Sequence, residues 1–281
     1  MGEAADQFAC ARTLLFVPGD RPERFDKAVA SSADGVILDL EDAVDPQNKA
    51  SARAHVAAWL GAGNAAAVRI NAAGTPWFDD DVSAVGRHAS TVMLPKASPD
   101  GVTSAVAVLG EFVKIIALVE TAAGILDATA ICRSRNVIRL AFGSIDLGAE
   151  IGVDPDDREA LLHARSAVVL ASSAAGIVAP LDGVTTDLSS GDRARADAEY
   201  ALRLGFSGKL CIHPRQTDPV NGAFEPTLDQ LAWAQRVLAA AGHGATRIDG
   251  HMVDEPVVRR ARRLIERHEL FTVVAVPGSG S

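Results

Sequence analysis

Two short apolar runs separated by a helical spacer, between residues 114 and 146, constrain the fold more than any other feature of the chain. The first run, KIIALVE, ends in Glu120, and the second, IRLAFGSID, ends in Asp146. The spacer from Ala122 to Arg135 is rich in Ala, Ile and Leu and has the length of one helix. This order predicts a βαβ unit with two parallel strands. The carboxyl ends of parallel strands meet at one edge of the sheet, and α/β folds bind their ligands at that edge. We therefore expect both acids to lie in a binding site.

The two acids predict a metal site. Carboxylates from neighbouring strand ends provide only oxygen ligands, which suit a hard cation such as Mg²⁺. The alternative is that Glu120 or Asp146 caps a helix or pairs with a surface arginine. The residues of this stretch leave both interpretations open.

Eight strand-like segments, mostly alternating with helical ones, predict the fold class. Besides the two above, they are TLLFVP, GVILDLEDAV, AAVRINA, STVMLPKA, APLDGVTTD and GKLCIHP. The chain has 281 residues, and a (β/α)8 TIM barrel commonly takes about 250. We therefore predict an α/β fold of this type with a C-terminal helical extension. A doubly wound sheet is the alternative, but no GxGxxG follows any strand, which disfavours a dinucleotide-binding fold.

The pattern changes near Asn221 and predicts how the chain is divided. We expect the barrel over residues 12–220 and a helical segment over 221–270 that packs on the barrel or on a neighbouring subunit. Residues 1–11 and 276–281 are expected to be flexible ends.

Charged residues cluster where the second and third strands end. Asp39, Glu41 and Asp42 follow four apolar residues of the second strand, and Arg69 lies inside the apolar run of the third. A buried charge must be paired or must bind a ligand. Arg69 is therefore expected either to pair with these acids or, as we favour, to hold a substrate carboxylate in a bidentate manner.

Basic residues follow two other strands. Arg21, Arg24 and Lys27 come just after the first strand, where they either grip phosphate groups or form a solvated helix face. Lys96 ends the fourth strand. A Schiff-base role is possible for such a lysine, but beside a metal site we favour an electrostatic or structural role.

Composition excludes several classes of function. The formal net charge of −9 argues against nucleic-acid and membrane-surface binding, since both need a basic face. Three cysteines without CxxC spacing argue against disulfides and structural zinc. The N-terminus has acids and lacks the basic and apolar regions of a signal peptide. We therefore expect a cytoplasmic protein.

Eight fragments in a fixed order resemble one known family. They are RTLLFVPGDRPERFDKA, GVILDLEDAV, AVRINA, MLPKA, ALVET, AFGSIDL, GKLCIHPRQ and MVDEP. Together they resemble the citrate lyase beta subunit-like family of the HpcH/HpaI aldolase superfamily, over about residues 12 to 262. The resemblance implies a TIM barrel that assembles as trimers or hexamers.

The resemblance also implies a metal centre and its surroundings. Glu120 and Asp146 match the family's Mg²⁺ ligands, and Arg69 matches the arginine that holds the substrate's carboxylate. Glu41 and Asp42 lie in a motif that supports the metal site through hydrogen bonds.

Further residues match the family's contacts with a thioester. Phe16, Arg21 and Lys27 correspond to contacts with the CoA ligand and its phosphates in malyl-CoA lyases. Asp254 matches an acid of the C-terminal segment that acts as an acid/base group and can cross a subunit interface.

The implied activity is Mg²⁺-dependent, reversible cleavage of a β-hydroxyacyl-CoA such as malyl-, citramalyl- or citryl-CoA. The products are acetyl-CoA or a homologue and a 2-oxo acid. Two alternatives stay open: a CoA-independent pyruvate aldolase of the same superfamily, and the beta subunit of a citrate lyase complex that acts on an acyl-carrier-protein thioester.

Overall fold

Eight parallel strands form a closed barrel in a computed structural model that describes residues 3–241, 246–248 and 251–274. Neighbours in the barrel follow the chain order, and β8 closes it against β1. The strands are β1 (Thr13–Pro18), β2 (Gly35–Asp39), β3 (Ala67–Arg69), β4 (Thr91–Leu94), β5 (Lys114–Val119), β6 (Val137–Phe142), β7 (Val178–Asp182) and β8 (Gly208–Cys211). The predicted (β/α)8 fold is confirmed.

Helices alternate with the strands, as the sequence pattern predicts for most of the barrel, and one further helix, α1, precedes β1. They are α1 (Glu3–Cys10), α2 (Phe25–Val29), α3 (Lys49–Gly61), α4 (Phe78–Val85), α5 (Pro99–Leu109), α6 (Ala122–Leu126), α7 (Ala128–Arg133), α8 (Ser144–Ile151), α9 (Leu162–Ala175), α10 (Gly191–Leu204) and α11 (Thr217–Phe224). The first compact unit of the chain extends through α11 to Phe224, four residues beyond the boundary expected from the sequence.

The central βαβ unit differs from the prediction in two details. The spacer forms two short helices, α6 and α7, because the chain leaves the helical conformation at Asp127, a residue type with low helix propensity. Strand β6 ends at Phe142, and Asp146 lies in the first turn of α8 rather than at the strand end. An acid in a first helical turn is stabilised by the helix dipole.

The barrel interior is filled by alternate residues of the strands. A buried apolar layer contains Leu14, Ile37, Ala67, Met93, Ile116, Leu118, Ala141, Leu181 and Leu210. Because side chains alternate between the two faces of a strand, the residue two positions further along each strand also points inward. The next inward-facing residues therefore lie between this apolar layer and the carboxyl end of the barrel.

Helix α1 packs at the amino end of the barrel, in the segment 1–11 that the sequence led us to expect as flexible. The Phe8 side chain is buried in the same apolar cluster as the barrel interior. Arg139, fully buried, donates hydrogen bonds to the Phe8 and Ala11 carbonyls at 3.3 and 2.7 Å. These contacts hold Phe8 and Ala11 at the barrel. The other expected flexible end, 276–281, lies outside the described residues.

The second compact unit begins at Glu225. It contains α12 (Leu228–Ala240), an antiparallel pair of short strands, β9 (Thr246–Ile248) and β10 (His251–Val253), and α13 (Glu255–Val274). The two helices share a small apolar core of Ala234, Val237, Val258, Ala261 and Leu264. In the described part of the chain, none of the helices has both the length and the apolar character needed to cross a membrane.

Candidate active site at the carboxyl end of the barrel

Strand alternation brings four predicted or candidate side chains to the carboxyl end of the barrel. Phe16, Asp39, Arg69 and Glu120 each stand two residues beyond a member of the buried apolar layer. They line a cavity of about 340 Å³. The rest of its lining consists of loop residues and of apolar strand residues. These are Asp42, Ala43, Leu118, Phe142, Gly143, Ser144, Ile145, Asp146, Val184, Leu210 and Ile212. The cavity thus combines a charged cluster with an apolar wall.

Arg69 is held by an acid of the neighbouring strand. Asp39 and Arg69 are register partners on β2 and β3, and the Arg69 Nε and Nη2 atoms donate to the two Asp39 carboxylate oxygens at 2.7 and 2.6 Å. Burial opposes the charge of Arg69, but the carboxylates of Asp39, Glu41 and Asp42 together outweigh it and raise the pKa of the guanidinium above its ordinary value. Arg69 is therefore a permanent cation with a fixed orientation.

The rest of the Arg69 guanidinium faces the other acids and an aromatic ring. Its Nη1 atom lies 3.2 Å from Glu41 Oε2 and 3.6 Å from Asp42 Oδ2. The guanidinium carbon stands 4.7 Å from the centre of the Phe16 ring, which is cation–π distance. Pairing with strand-end acids, one of the two alternatives for Arg69, is thus observed, and its role as a carboxylate clamp stays a prediction.

Three carboxylates surround the side chain of Lys96. The Lys96 Nζ atom lies 3.0 Å from Glu41 Oε1, 3.0 Å from Asp146 Oδ2 and 3.8 Å from Glu120 Oε1. The Lys96 main-chain N–H also donates to Glu120 Oε1 at 2.9 Å. Glu120 and Asp146, predicted from different strand ends to share a site, therefore meet around a single ammonium group.

The cluster carries more negative than positive charge. Burial and the nearby Glu41 carboxylate raise the pKa of Glu120 to about 8. Burial likewise raises the pKa of Glu41. Within the described residues, Glu41 Oε2 accepts no hydrogen bond despite its proximity to Arg69. Buried carboxylates with raised pKa values are short of positive charge, which is the environment expected where a divalent cation binds.

The donor set fits a hard cation held by few protein ligands. Over the described ranges, no group of three or more His, Cys, Asp or Glu side chains is arranged to hold a metal ion. Mg²⁺ is commonly bound through one or two carboxylates and completes its shell with water or substrate oxygens. Glu120 and Asp146 provide two such carboxylates, so the residues present fit the cation that the sequence predicts.

Gly143 allows the ends of β5 and β6 to approach closely. A Cβ atom at this position would stand 2.3 Å from Glu120 Cβ and 2.7 Å from Glu120 Oε2. No heavy atom fits at such distances, so only glycine lets Glu120 keep its place beside Lys96.

The basic residues predicted to bind phosphate lie after β1 and are exposed. Arg21 precedes a short 3-10 turn, has a side chain 57% exposed and stands 3.9 Å from Asp20. Lys27 is exposed on α2. Neither residue belongs to the lining of the 340 Å³ cavity. Their assignment to phosphate binding stays a prediction.

Asp254 belongs to the second unit, where its side chain caps a helix. Its Oδ1 atom accepts a hydrogen bond of 3.1 Å from the Val257 main-chain N–H in the first turn of α13. The capping role that its position suggests is therefore present. An acid/base role stays a prediction.

Sequence reasoning gave Asp39 and Lys96 only general roles, as a possible partner of Arg69 and as an electrostatic or structural residue, and it gave Gly143 none. A signal for Asp39 exists in the alternation of β2, since Ile37 is buried inside the barrel and Asp39 is the next residue on the same face. The electrostatic role favoured for Lys96 agrees with its position among three carboxylates, but the sequence did not indicate which acids it contacts. No local pattern indicates that Gly143 lies against Glu120, because that contact joins two strands.

Comparisons with known proteins agree with this architecture. A family described as HpcH/HpaI aldolase/citrate lyase matches residues 12–214. A citrate lyase subunit beta-like protein of Mycobacterium tuberculosis is 40% identical over 263 residues, which are 90% of this chain and 94% of that protein. A (3S)-malyl-CoA thioesterase of Cereibacter sphaeroides is 33% identical over 92% of this chain and 94% of its own length.

A solved structure is also similar over almost its whole length. It is the protein CitE from Mycobacterium tuberculosis in complex with magnesium, acetoacetate and coenzyme A. The TM-score is 0.81 at 37% sequence identity, and the match covers 93% of this chain and 99% of that one.

Proposed function

Because the chain belongs to the HpcH/HpaI aldolase/citrate lyase family, we propose that it is a Mg²⁺-dependent carbon–carbon lyase acting on a β-hydroxyacyl-CoA. The family resemblance read from the sequence motifs is confirmed by these matches. The observation that carries the proposal is the convergence of Glu120, Asp146 and Arg69 on one cavity at the carboxyl end of the barrel. The similar CitE structure contains magnesium, acetoacetate and coenzyme A, which agrees with this assignment.

The acids and the arginine have distinct roles in the proposal. Glu120 and Asp146 hold Mg²⁺, which when bound supplies Lewis acidity toward substrate oxygen atoms. Arg69 holds the substrate's carboxylate through the guanidinium N–H groups that Asp39 does not occupy. The Phe16 ring and the Asp39 carboxylate keep the guanidinium in one orientation, which limits the poses of the scissile bond.

The reaction cleaves the bond between the hydroxyl-bearing carbon and the carbon next to the thioester. The hydroxyl group loses its proton to solvent water and becomes the carbonyl of a 2-oxo acid. The electron pair of the broken bond passes to the thioester as an enolate, and protonation of its carbon gives acetyl-CoA or a homologue. Asp254 supplies that proton in the proposal, from its own or a neighbouring subunit.

The CoA moiety is expected to bind beside β1. Arg21 and Lys27 are exposed cations just beyond its carboxyl end, so they are available to phosphate groups. The predicted assembly is a homotrimer or hexamer, and the predicted location is cytoplasmic. Size-exclusion chromatography with light scattering tests the assembly.

A thioesterase activity is a second candidate, because the relative from Cereibacter sphaeroides is named a (3S)-malyl-CoA thioesterase. Such a reaction hydrolyses the thioester and releases free CoA with no 2-oxo acid. The product therefore distinguishes it from the lyase.

A product assay tests the proposal. Malyl-CoA, citramalyl-CoA, citryl-CoA, a citryl thioester of an acyl-carrier protein and one CoA-free hydroxy-oxo acid are each incubated with Mg²⁺ or with EDTA, and 2-oxo acid and free CoA are measured. Glu120→Gln removes one predicted metal ligand. Glu111→Gln is the matched control, since Glu111 is an exposed glutamate before β5 at the opposite end of the barrel.

The outcomes separate the candidate reactions. EDTA-sensitive release of a 2-oxo acid from one CoA ester, lost in Glu120→Gln and kept in Glu111→Gln, supports the lyase. Free CoA without 2-oxo acid supports the thioesterase. Activity on the CoA-free acid alone supports the pyruvate aldolase alternative. If no CoA ester reacts but an acyl-carrier-protein thioester does, the chain acts as a citrate lyase beta subunit.

A further inference from the structure

We infer that Lys96 is a built-in counter-cation of the carboxylate cluster, which holds Glu41, Glu120 and Asp146 together until a divalent cation binds and then moves its ammonium group away. The inference rests on the proposed function in one respect, namely that Glu120 and Asp146 bind the metal. It adds a residue whose state changes with metal occupancy.

The position of the ammonium group is the first observation. The Lys96 Nζ atom contacts one oxygen each of Glu41 and Asp146 at 3.0 Å and stands 3.8 Å from Glu120. The last two residues are the proposed metal ligands. A dication coordinated by the same two carboxylates would repel an ammonium group at this distance. The ammonium group and the metal ion therefore compete for one position.

The main chain of Lys96 is the second observation. Its φ angle is 46°, in the left-handed region, which is unfavourable for a residue with a Cβ. In this conformation the Lys96 N–H donates to Glu120 Oε1 at 2.9 Å. The main chain is thus anchored on one proposed metal ligand, so a change at the metal site requires only rotation of the side chain.

The space beside Lys96 is the third observation. Its side chain is 39% exposed and borders a second cavity of about 360 Å³. Glu41, Asp42 and Asp45 also line that cavity. The ammonium group can therefore leave the Glu120 and Asp146 carboxylates while it keeps an acidic partner and gains contact with water.

This arrangement has a consequence for both states of the site. Without a metal, three neighbouring carboxylates would repel one another, and Lys96 offsets that repulsion. With a metal, the ammonium group must give up its contact with Asp146. Lys96 therefore stabilises the metal-free protein and lowers its affinity for the metal.

Lysine labelling tests the movement directly. The native protein is treated with a limiting amount of an amine-acetylating reagent, with and without Mg²⁺, and the labelled lysines are measured by mass spectrometry. Labelling of Lys96 is expected to rise severalfold with Mg²⁺. Lys114, at the amino end of β5, is the internal reference and is expected to stay constant. In Asp146→Asn the response of Lys96 is expected to disappear.

Calorimetric titration with Mg²⁺ tests the competition. Lys96→Met is expected to bind Mg²⁺ about two- to fivefold more tightly than the wild type, as loss of one competing, partly exposed ion pair implies. In EDTA its melting temperature is expected to fall. Lys114→Met removes the same charge at the other end of the barrel, so its affinity for Mg²⁺ is expected to stay unchanged.

The two experiments separate the inference from the proposed function. If the wild type binds Mg²⁺ while Lys96 labelling does not change and Lys96→Met binds no more tightly, the inference is wrong and the metal site stands. If neither protein binds Mg²⁺, both are wrong. If only Lys96→Met binds it, the competition is supported in its strongest form.

Discussion

Replacing Asp39 by asparagine should both destabilise the barrel and misplace Arg69. Asp39 is 1% exposed and accepts four hydrogen bonds, two from Arg69 and two from the main-chain N–H groups of Glu41 and Ala43. Asparagine keeps one acceptor oxygen but places an NH₂ group among donors. Arg69, which is 9% exposed, would then lose its bidentate partner.

The expected loss of stability is about 3 kcal/mol. Removing one partner of a buried ion pair typically destabilises by about 3–5 kcal/mol, because a charge is left uncompensated. The lower end applies here, since Glu41 and Asp42 remain 3.2 and 3.6 Å from Arg69 Nη1 and retain part of the compensation. The free energy of unfolding is measured by urea denaturation, with the m value checked for constancy.

The effect on turnover should exceed the effect of lost stability alone. A misplacement of about 1 Å in a positioning residue can reduce the rate by about 100-fold. Among the residues that the structure describes, Arg69 has no bidentate partner besides Asp39. We expect kcat/KM in the 2-oxo acid assay to fall by about that factor.

Asp34→Asn is the matched control for Asp39→Asn. Asp34 forms a similar bidentate pair with Arg12, at 2.9 and 2.8 Å, at the amino end of the barrel. It should lose comparable stability and keep its turnover at a temperature where both variants are folded. A loss of less than about 1 kcal/mol in Asp39→Asn, or wild-type turnover, would refute the reasoning.

Three further changes have defined outcomes. Gly143→Ala should weaken Mg²⁺ binding about 10- to 100-fold by displacing Glu120, as calorimetry would show, and equal affinity would contradict the close contact. Arg139→Met should lower the free energy of unfolding by about 3 kcal/mol, because the main-chain carbonyls of Ala179 and Ala11 lose their hydrogen-bond donor. Urea denaturation measures this change. Burial raises the pKa of the Cys211 thiol from 9.0 to about 12, so its contribution to stability is present below pH 9 and is lost as the pH rises through about 12. Rapid alkylation of Cys211 in the native protein at pH 8.5 would count against this.

Much of the fold was predictable from the sequence because strand alternation is a local property. Apolar runs of four to six residues, separated by helical segments, predicted the eight barrel strands. The charged residues at their ends were expected at the carboxyl edge for the same reason, and Glu120 and Arg69 lie there. Two details of the prediction were wrong, and both concern where a helix begins or ends. The spacer broke at Asp127, and Asp146 joined the helix after β6 instead of ending the strand.

The sequence by itself determined the architecture and the chemical types at the binding edge, since both follow from periodicity and from the order of strands and charges. Only the tertiary structure decided which charges are paired. Asp39 holds Arg69 because β2 and β3 are in register, and Lys96 reaches Asp146 because β4 and β6 end on either side of β5. Such pairings depend on strand register and on the close approach at Gly143. These are set by packing of the whole barrel, so no local stretch of sequence contains them.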